Sequence, residues 1–361
     1  MTDKVDILIE VPYLWLNDGY GQTSPLVIWQ LKHFCERHNL EWKVIRTKVI
    51  GPNSNPDMTK AIVDKFVNKK DAPESKILLR YHYPFVDRYK TDKLVLYTMF
   101  ETDICPDGWP PILNTADLVL VPSPHLQPMF EEKLDVPVKT VYLPLHEEYY
   151  EKRPESFLVG NLAKKFTFSF VGTVGSSHDR KGIVELAAAL DKTDLLKEAE
   201  MIVKSRGSGN RFNGVKGNAA PINTKKLIDF YCTTHCGVYP SRGEGYGLPQ
   251  IETSLLGRPV IVADNSAVSW SSELMPWVLK IPCTPGPATY THQSILNAGN
   301  WGYVDMPLFI LSMKICRNLW ESDRSAYVQN ILNAHDDNAL REELSYTNIQ
   351  KQLEESLLPL L

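Results

Sequence analysis

Short apolar runs alternate with stretches whose apolar residues recur at three- and four-residue intervals, and this alternation continues along most of the chain. Residues 5–11 read Val-Asp-Ile-Leu-Ile-Glu-Val and stop at Pro12, which is the pattern of a buried strand. After a glycine-containing turn, residues 24–38 carry helical spacing. The order repeats, with strands predicted at 42–49, 76–80, 94–99 and 118–121 and a helix at 58–68. Between residues 142 and 165 the pattern loosens into a charged, proline-containing stretch, and at Phe166 it restarts. Strands are predicted at 166–171, 199–204, 237–239 and 260–263, with helices at 182–190, 224–232 and 249–256. Residues 276–287 are proline-rich and read as a loop, and residues 340–361 read as helical.

Apolar runs without polar alternation suit strands covered on both faces, as in parallel sheets flanked by helices. The expected fold class is therefore α/β, with two Rossmann-like domains at 1–155 and 156–335 and a helical tail at 336–361 that crosses back to the first domain. A length of 361 residues suits two such cores. Charge changes little in this picture: Lys+Arg 39 against Asp+Glu 43 gives no global field that advertises nucleic acid or an anionic membrane. The six cysteines are scattered, which fits reduced thiols, and Cys232, His235 and Cys236 match no common zinc spacing. The first ten residues lack a signal-peptide layout, and no run reaches the roughly 20 apolar residues that span a bilayer, so a soluble, cytoplasmic protein is expected. For a viral protein, that means the host cytoplasm.

Candidate chemistry concentrates in residues 238–261. A strand ends at Tyr239, a glycine-rich loop follows, and a helix begins near Leu248 with Pro249 in its first turn. Free amides and the positive end of a helix dipole suit a diphosphate, and Gly245 and Gly247 allow close backbone approach. Glu244 precedes the helix and Glu252 lies about one turn inside it, so two carboxylates reach different parts of one extended ligand. Taken singly, each glycine also fits an ordinary turn and each carboxylate a capped or solvated helix end.

The whole string, Pro-Ser-Arg-x-Glu-Gly-x-Gly-Leu-Pro-x-x-Glu followed by Gly-Arg-Pro-Val, resembles the signature of family 4 glycosyltransferases, retaining enzymes of the GT-B fold. The resemblance implies two domains facing across a cleft, the first for the acceptor and the second for the nucleotide sugar. It implies that Glu244 contacts the donor sugar near its reacting end, that the amides of Gly245, Tyr246, Gly247 and Leu248 hold the diphosphate, and that Glu252 binds the ribose. Residues 168–182 resemble the family's Val-Gly-Arg loop and its following Lys-Gly, which places Lys181 on the donor phosphates. Thr173 stands where the family carries arginine, and Arg180 is a candidate substitute or one half of a solvated basic pair.

Lys204 and Arg206 fall in a segment that resembles the one near the base and phosphate, and Arg211 and Lys216 continue it as a basic stretch open to a polymeric acceptor. In the first half, residues 17–24, with Tyr20 and Gly21, resemble the glycine-containing donor and acceptor loop at the sheet's carboxyl edge. His82 stands where similar enzymes place a histidine beside the anomeric carbon, although a lone histidine is more often structural. Glu101 and Asp103 are acceptor-binding candidates, with turn capping as the alternative. No Asp-x-Asp pair is present, so no metal is expected.

The implied function is retaining transfer of a hexose or pentose from a nucleoside diphosphate sugar, UDP before GDP, to a glycan or lipid-linked sugar. The alternatives are a phage-type enzyme acting on hydroxymethylated bases in DNA, and a GT-B phosphorylase or sugar-nucleotide epimerase. Fold and donor motif do not encode the acceptor.

Overall fold

The valine-, leucine- and isoleucine-rich runs form two parallel sheets. The computed structural model describes residues 4–15, 19–50, 55–86, 89–173, 179–206, 216–218, 220, 222–289 and 297–361. The first sheet contains β1 (Val5–Glu10), β2 (Trp42–Ile45), β3 (Phe66–Val67), β4 (Ser75–Tyr81), β5 (Thr91–Tyr97), β6 (Leu118–Val121) and β7 (Val138–Thr140), in the spatial order β3-β2-β1-β4-β5-β6-β7. The second contains β8 (Thr167–Thr173), β9 (Glu200–Arg206), β10 (Lys216–Asn218), β11 (Cys236–Tyr239), β12 (Val260–Ala263) and β13 (Val278–Ile281), in the order β10-β9-β8-β11-β12-β13. Both reverse direction beside their first strand, the topological switch at which open α/β sheets collect ligands. An antiparallel hairpin, β14 (Cys283–Pro287) with β15 (Asn300–Val304), follows the second sheet.

Several elements differ from the periodicity reading. Helix α1 runs from Gly19 to Arg37 and takes in the turn expected before residue 24. Pro25 lies inside it and has no N–H for the carbonyl of Gly21, which instead accepts the backbone N–H of Trp15 at 2.8 Å. The expected strand at 42–49 stops at Ile45; Lys48–Val49 pairs with Tyr13–Leu14 in a separate ladder. The expected helix at 58–68 is Pro56–Val63, and Phe66–Val67 has joined the sheet edge. Residues 283–287, read as loop, are a strand despite two prolines, which an edge hairpin tolerates.

Helices Met306–Ser322 and Arg324–Asp336 had no sequence prediction. Their shared cap residue Asp323 ends the first helix and accepts the Ala326 N–H of the second at 2.9 Å.

The C-terminal segment breaks at Ser345, whose side chain caps a last helix, Tyr346–Leu357. Ile349, Leu353 and Leu357 are buried at helical spacing, and this helix lies against α1. Gln350 donates to the Gln30 carbonyl at 2.7 Å, Arg37 pairs with Glu354 at 2.7 Å, and the Tyr142 N–H donates to Gln352 Oε1 at 2.9 Å. The chain's end is therefore bonded to elements of the first sheet's layer. Leu353→Ala is expected to lower stability by about 2–4 kcal/mol through a cavity against α1. Urea unfolding checks this, and a loss under about 0.5 kcal/mol, typical of surface sites, contradicts it.

Candidate active site

Strand β11 ends at Tyr239, and the chain passes through residues 240–247 before α2 (Leu248–Leu255) begins. Gly247 precedes the helix at φ +91°, a left-handed conformation that disfavours side chains. Pro249 occupies the first turn, where no intrahelical hydrogen bond is lost. Amides of that turn have no carbonyl partner within the helix and carry the positive end of its dipole. Residues 244–249 line a cleft of about 400 Å³ between the two domains.

Gly243 and Gly245 explain how this turn comes to face the other domain. A Cβ on Gly243 would lie 2.0 Å from the Glu101 carbonyl oxygen, and one on Gly245 would lie 2.9 Å from Met99 Cγ. Only bare backbone fits between those atoms. Glu244, between the two glycines, is fixed by its N–H donating to Ser266 Oγ at 2.8 Å and its carbonyl accepting from Ala267 at 3.2 Å.

The Glu244 carboxylate receives Lys181 Nζ at 2.6 and 2.7 Å and Arg180 Nη1 at 3.2 Å. Burial pushes this carboxyl up, but Lys181 and Arg180 outweigh burial and hold it well below the usual carboxylate range. Burial lowers the Lys181 ammonium, with Glu244 opposing, so the two remain an ion pair. Lys181 reaches Glu244 because Gly182, at φ +71°, packs so closely that a Cβ would stand 1.8 Å from the Pro240 carbonyl oxygen.

Glu252 borders the same cleft farther along α2 and accepts from Tyr231 Oη at 2.8 Å. Burial raises its carboxyl to about 7 against the pull of Tyr231 and the weaker one of Tyr149, whose hydroxyl makes no hydrogen bond of ordinary geometry. Lys204, buried on β9, donates to the Ser205 carbonyl at 3.3 Å, and burial lowers its ammonium. Among the described residues, the charged lining is thus Arg180, Lys181 and Lys204 against Glu101, Glu244 and Glu252. With Glu252 partly protonated near neutrality, the balance favours an anion.

Among the residues singled out from sequence, the cleft brings together Tyr20, Glu101, Thr173, Arg180, Lys181, Lys204, Glu244, Gly245, Tyr246, Gly247, Leu248 and Glu252. Three others lie off its lining. His82 Nδ1 hydrogen-bonds the Tyr83 carbonyl at 3.1 Å and its ring stands edge-on to Phe85, beside the lining residues Tyr20 and Tyr83 but not itself on the lining. Asp103 accepts the N–H of Asn300 at 2.6 Å and its Nδ2 at 2.9 Å, fastening the β14–β15 hairpin instead of facing the cleft. Gly21 is a helical residue whose carbonyl serves Trp15, while its neighbours Tyr20 and Gln22 line the wall. The Arg206 and Lys216 side chains and all of Arg211 lie outside the described residues.

Sequence reasoning missed Tyr13, Tyr83, His146, Tyr149 and Asn223 as lining residues. His146 is buried, stacks on Trp15 at 5.8 Å, and burial takes its imidazole down to about 4. It and Tyr149 come from the charged, proline-containing stretch at 142–165, and nothing in its composition signals that it forms a cleft wall.

No protein family and no curated protein matches the chain. Solved structures do match in shape. Sucrose-phosphate synthase from Thermosynechococcus elongatus superposes with a TM-score of 0.61 at 14% identity, covering 99% of each chain. WaaG, a glycosyltransferase involved in lipopolysaccharide biosynthesis, gives 0.62 at 11% identity over 97% of this chain and 99% of that one. Anabaena HepE in complex with UDP-glucose gives 0.60 at 14% identity over 98% and 100%. These likenesses show the fold: two Rossmann-like domains across a cleft, the GT-B arrangement.

Glu252 gives the site a pH signature. Its folded-state pKa of about 7 lies above the ordinary 4.5, so its contribution to stability is complete below about pH 4.5 and is lost as pH rises to about 7. Glu252→Gln removes that loss. In urea unfolding from pH 4.5 to 8, wild type is expected to fall relative to the variant by on the order of 2 kcal/mol, because the carboxylate borders water and is partly screened. Parallel curves contradict the assignment.

Proposed function

We propose that this protein is a glycosyltransferase that moves a sugar from a nucleoside diphosphate sugar, UDP before GDP, to an acceptor hydroxyl. The observation that carries the reading is the glycine turn before α2, which opens into the interdomain cleft with Glu244 and Lys181 at its entrance and Glu252 along the helix. Support for UDP comes from HepE, whose solved complex of the same fold holds UDP-glucose.

In this reading the diphosphate lies on the amides of residues 245–248, and its charge competes with Glu244 for Lys181. Lys181 then faces the leaving phosphate, and the freed Glu244 carboxylate accepts hydrogen bonds from sugar hydroxyls. As the bond from the anomeric carbon to the phosphate oxygen breaks, negative charge grows on the diphosphate. The oriented amides and Lys181 stabilise it without reorganising, which is the dominant catalytic contribution. Lys204, desolvated on the second-domain wall, adds positive charge there. Glu252 accepts from ribose hydroxyls, which either protonation state of the carboxyl permits.

The acceptor attacks the face that the phosphate leaves, with retention, and the leaving phosphate takes the acceptor's proton. Positive charge from Lys181, Lys204 and the helix end serves where other transferases use a divalent ion, so turnover needs no metal. A glycan or lipid-linked sugar is the proposed acceptor, presented by the first domain.

Lys181→Ala and Glu244→Gln are each expected to lower UDP release from UDP-glucose with a competent acceptor by about 10²–10³-fold, the scale of a lost charge-stabilising group. The screen uses glycan, lipid-linked and hydroxymethylcytosine DNA acceptors, each with and without EDTA. Near-wild-type turnover in both variants contradicts the site, and loss of turnover in EDTA contradicts metal independence.

A further inference from the structure

Of the charged side chains lining the cleft, Glu101 comes from the first domain, whereas Arg180, Lys181, Lys204, Glu244 and Glu252 come from the second. It follows β5 by a few residues and lies where the 99–101 segment meets the glycine turn. Its Oε1 is 3.3 Å from Arg180 Nη2, and Arg180 Nη1 is 3.2 Å from Glu244 Oε2. One guanidinium therefore joins carboxylates from opposite domains. Arg180 is itself tied to the loop: Nη1 also donates to the Gly243 carbonyl, and its own carbonyl accepts the Arg242 N–H at 2.7 Å.

We propose that Glu101 is a positioning residue, and that the Glu101–Arg180–Glu244 bridge couples closure of the two domains to the placement of Glu244. Three physical points carry this. Two carboxylates approach the same point, which their mutual repulsion opposes unless a cation stands between them, and Arg180 is that cation. All three side chains are largely withdrawn from water, at 16%, 21% and 8% exposure, so screening is weak. The backbone contact of Gly243 with Glu101 leaves no slack: the bridge forms at this geometry only when the domains are together.

The consequence for chemistry rests on the transferase reading above. With Glu101 in place, Arg180 is drawn toward the first-domain wall and shares Glu244 with Lys181. Without it, the Nη2 contact to the first domain is lost, and Arg180, which already reaches Glu244 through Nη1, moves fully onto that carboxylate and withholds it from the sugar. Asp103, two residues on, ties Asn300 to the same segment outside the cleft, so this contact with the second domain does not bear on the site as the Glu101 contact does.

The test uses the full chain with spin labels on the exposed Lys60 and Leu308 positions, comparing wild type, Glu101→Gln, Arg180→Gln and the double variant. Each single change is expected to shift the ratio of closed to open interdomain distances by about tenfold, and the double variant by no more than either one, as for directly coupled groups. In turnover with UDP-glucose, Glu101→Gln is expected to lower kcat by a similar factor while acceptor KM stays within about twofold, with Glu101→Asp recovering part of the loss. Unchanged distances overturn the proposal, as do effects that multiply in the double variant or a raised acceptor KM at unchanged kcat. Because the distances do not depend on turnover, they decide the bridge even if no nucleotide sugar proves to be a donor, a result that would count against the enzymatic reading alone.

Discussion

The cleft depends on one close contact: the backbone of residues 243–245 lies against residues 99–101 because glycine on both sides of Glu244 leaves no Cβ in the way. That contact places a buried carboxylate where two domains meet, and a buried carboxylate needs cations. Lys181 and Arg180 supply them, and Gly182 is the residue that lets their turn pack against Pro240. The ion pair at the cleft follows from backbone packing, and its cations are those that a bound diphosphate would engage.

The larger architecture serves this arrangement. Two sheets with the same strand order present their carboxyl edges to each other, so the loops after β1, β5, β8 and β11 converge. The segment between the sheets adds His146 and Tyr149 to the cleft wall, and Tyr246 spans the same region by donating to the Leu143 carbonyl at 2.9 Å. The last helix then returns to α1 through the Gln350–Gln30 and Arg37–Glu354 contacts. The domains are thus joined by polar contacts at the cleft and by both polar and apolar contacts at the tail. The former are the ones that a charged ligand can change.

How much of this was legible in the sequence differs by residue. The sheets were readable because strands buried on both faces are predominantly apolar: β6 and β12 are unbroken apolar runs, and β1, β4 and β8 have apolar centres with few polar residues. Short edge strands were not: Phe66–Val67 and Val138–Thr140 gain their place from neighbours, so local pattern carries little of it. The turn before α2 was legible because Gly247 and Pro249 have backbone reasons to be there. The places of His82 and Asp103 were not, since a side chain's direction after a strand depends on what packs beside it, Phe85 in one case and Asn300 in the other. Arg180 was read as a candidate phosphate ligand or one half of a solvated basic pair, and its partner on the opposite domain, Glu101, is a contact between residues 79 positions apart that no local signal reports.

The deciding observation is where a nucleoside diphosphate sits. A crystal structure of the protein with UDP is predicted to place the diphosphate oxygens within hydrogen-bond reach of the amides of residues 245–248, with Lys181 Nζ moved from Glu244 to a phosphate. Diphosphate bound elsewhere, with Lys181 still on Glu244, would contradict the assignment of this cleft.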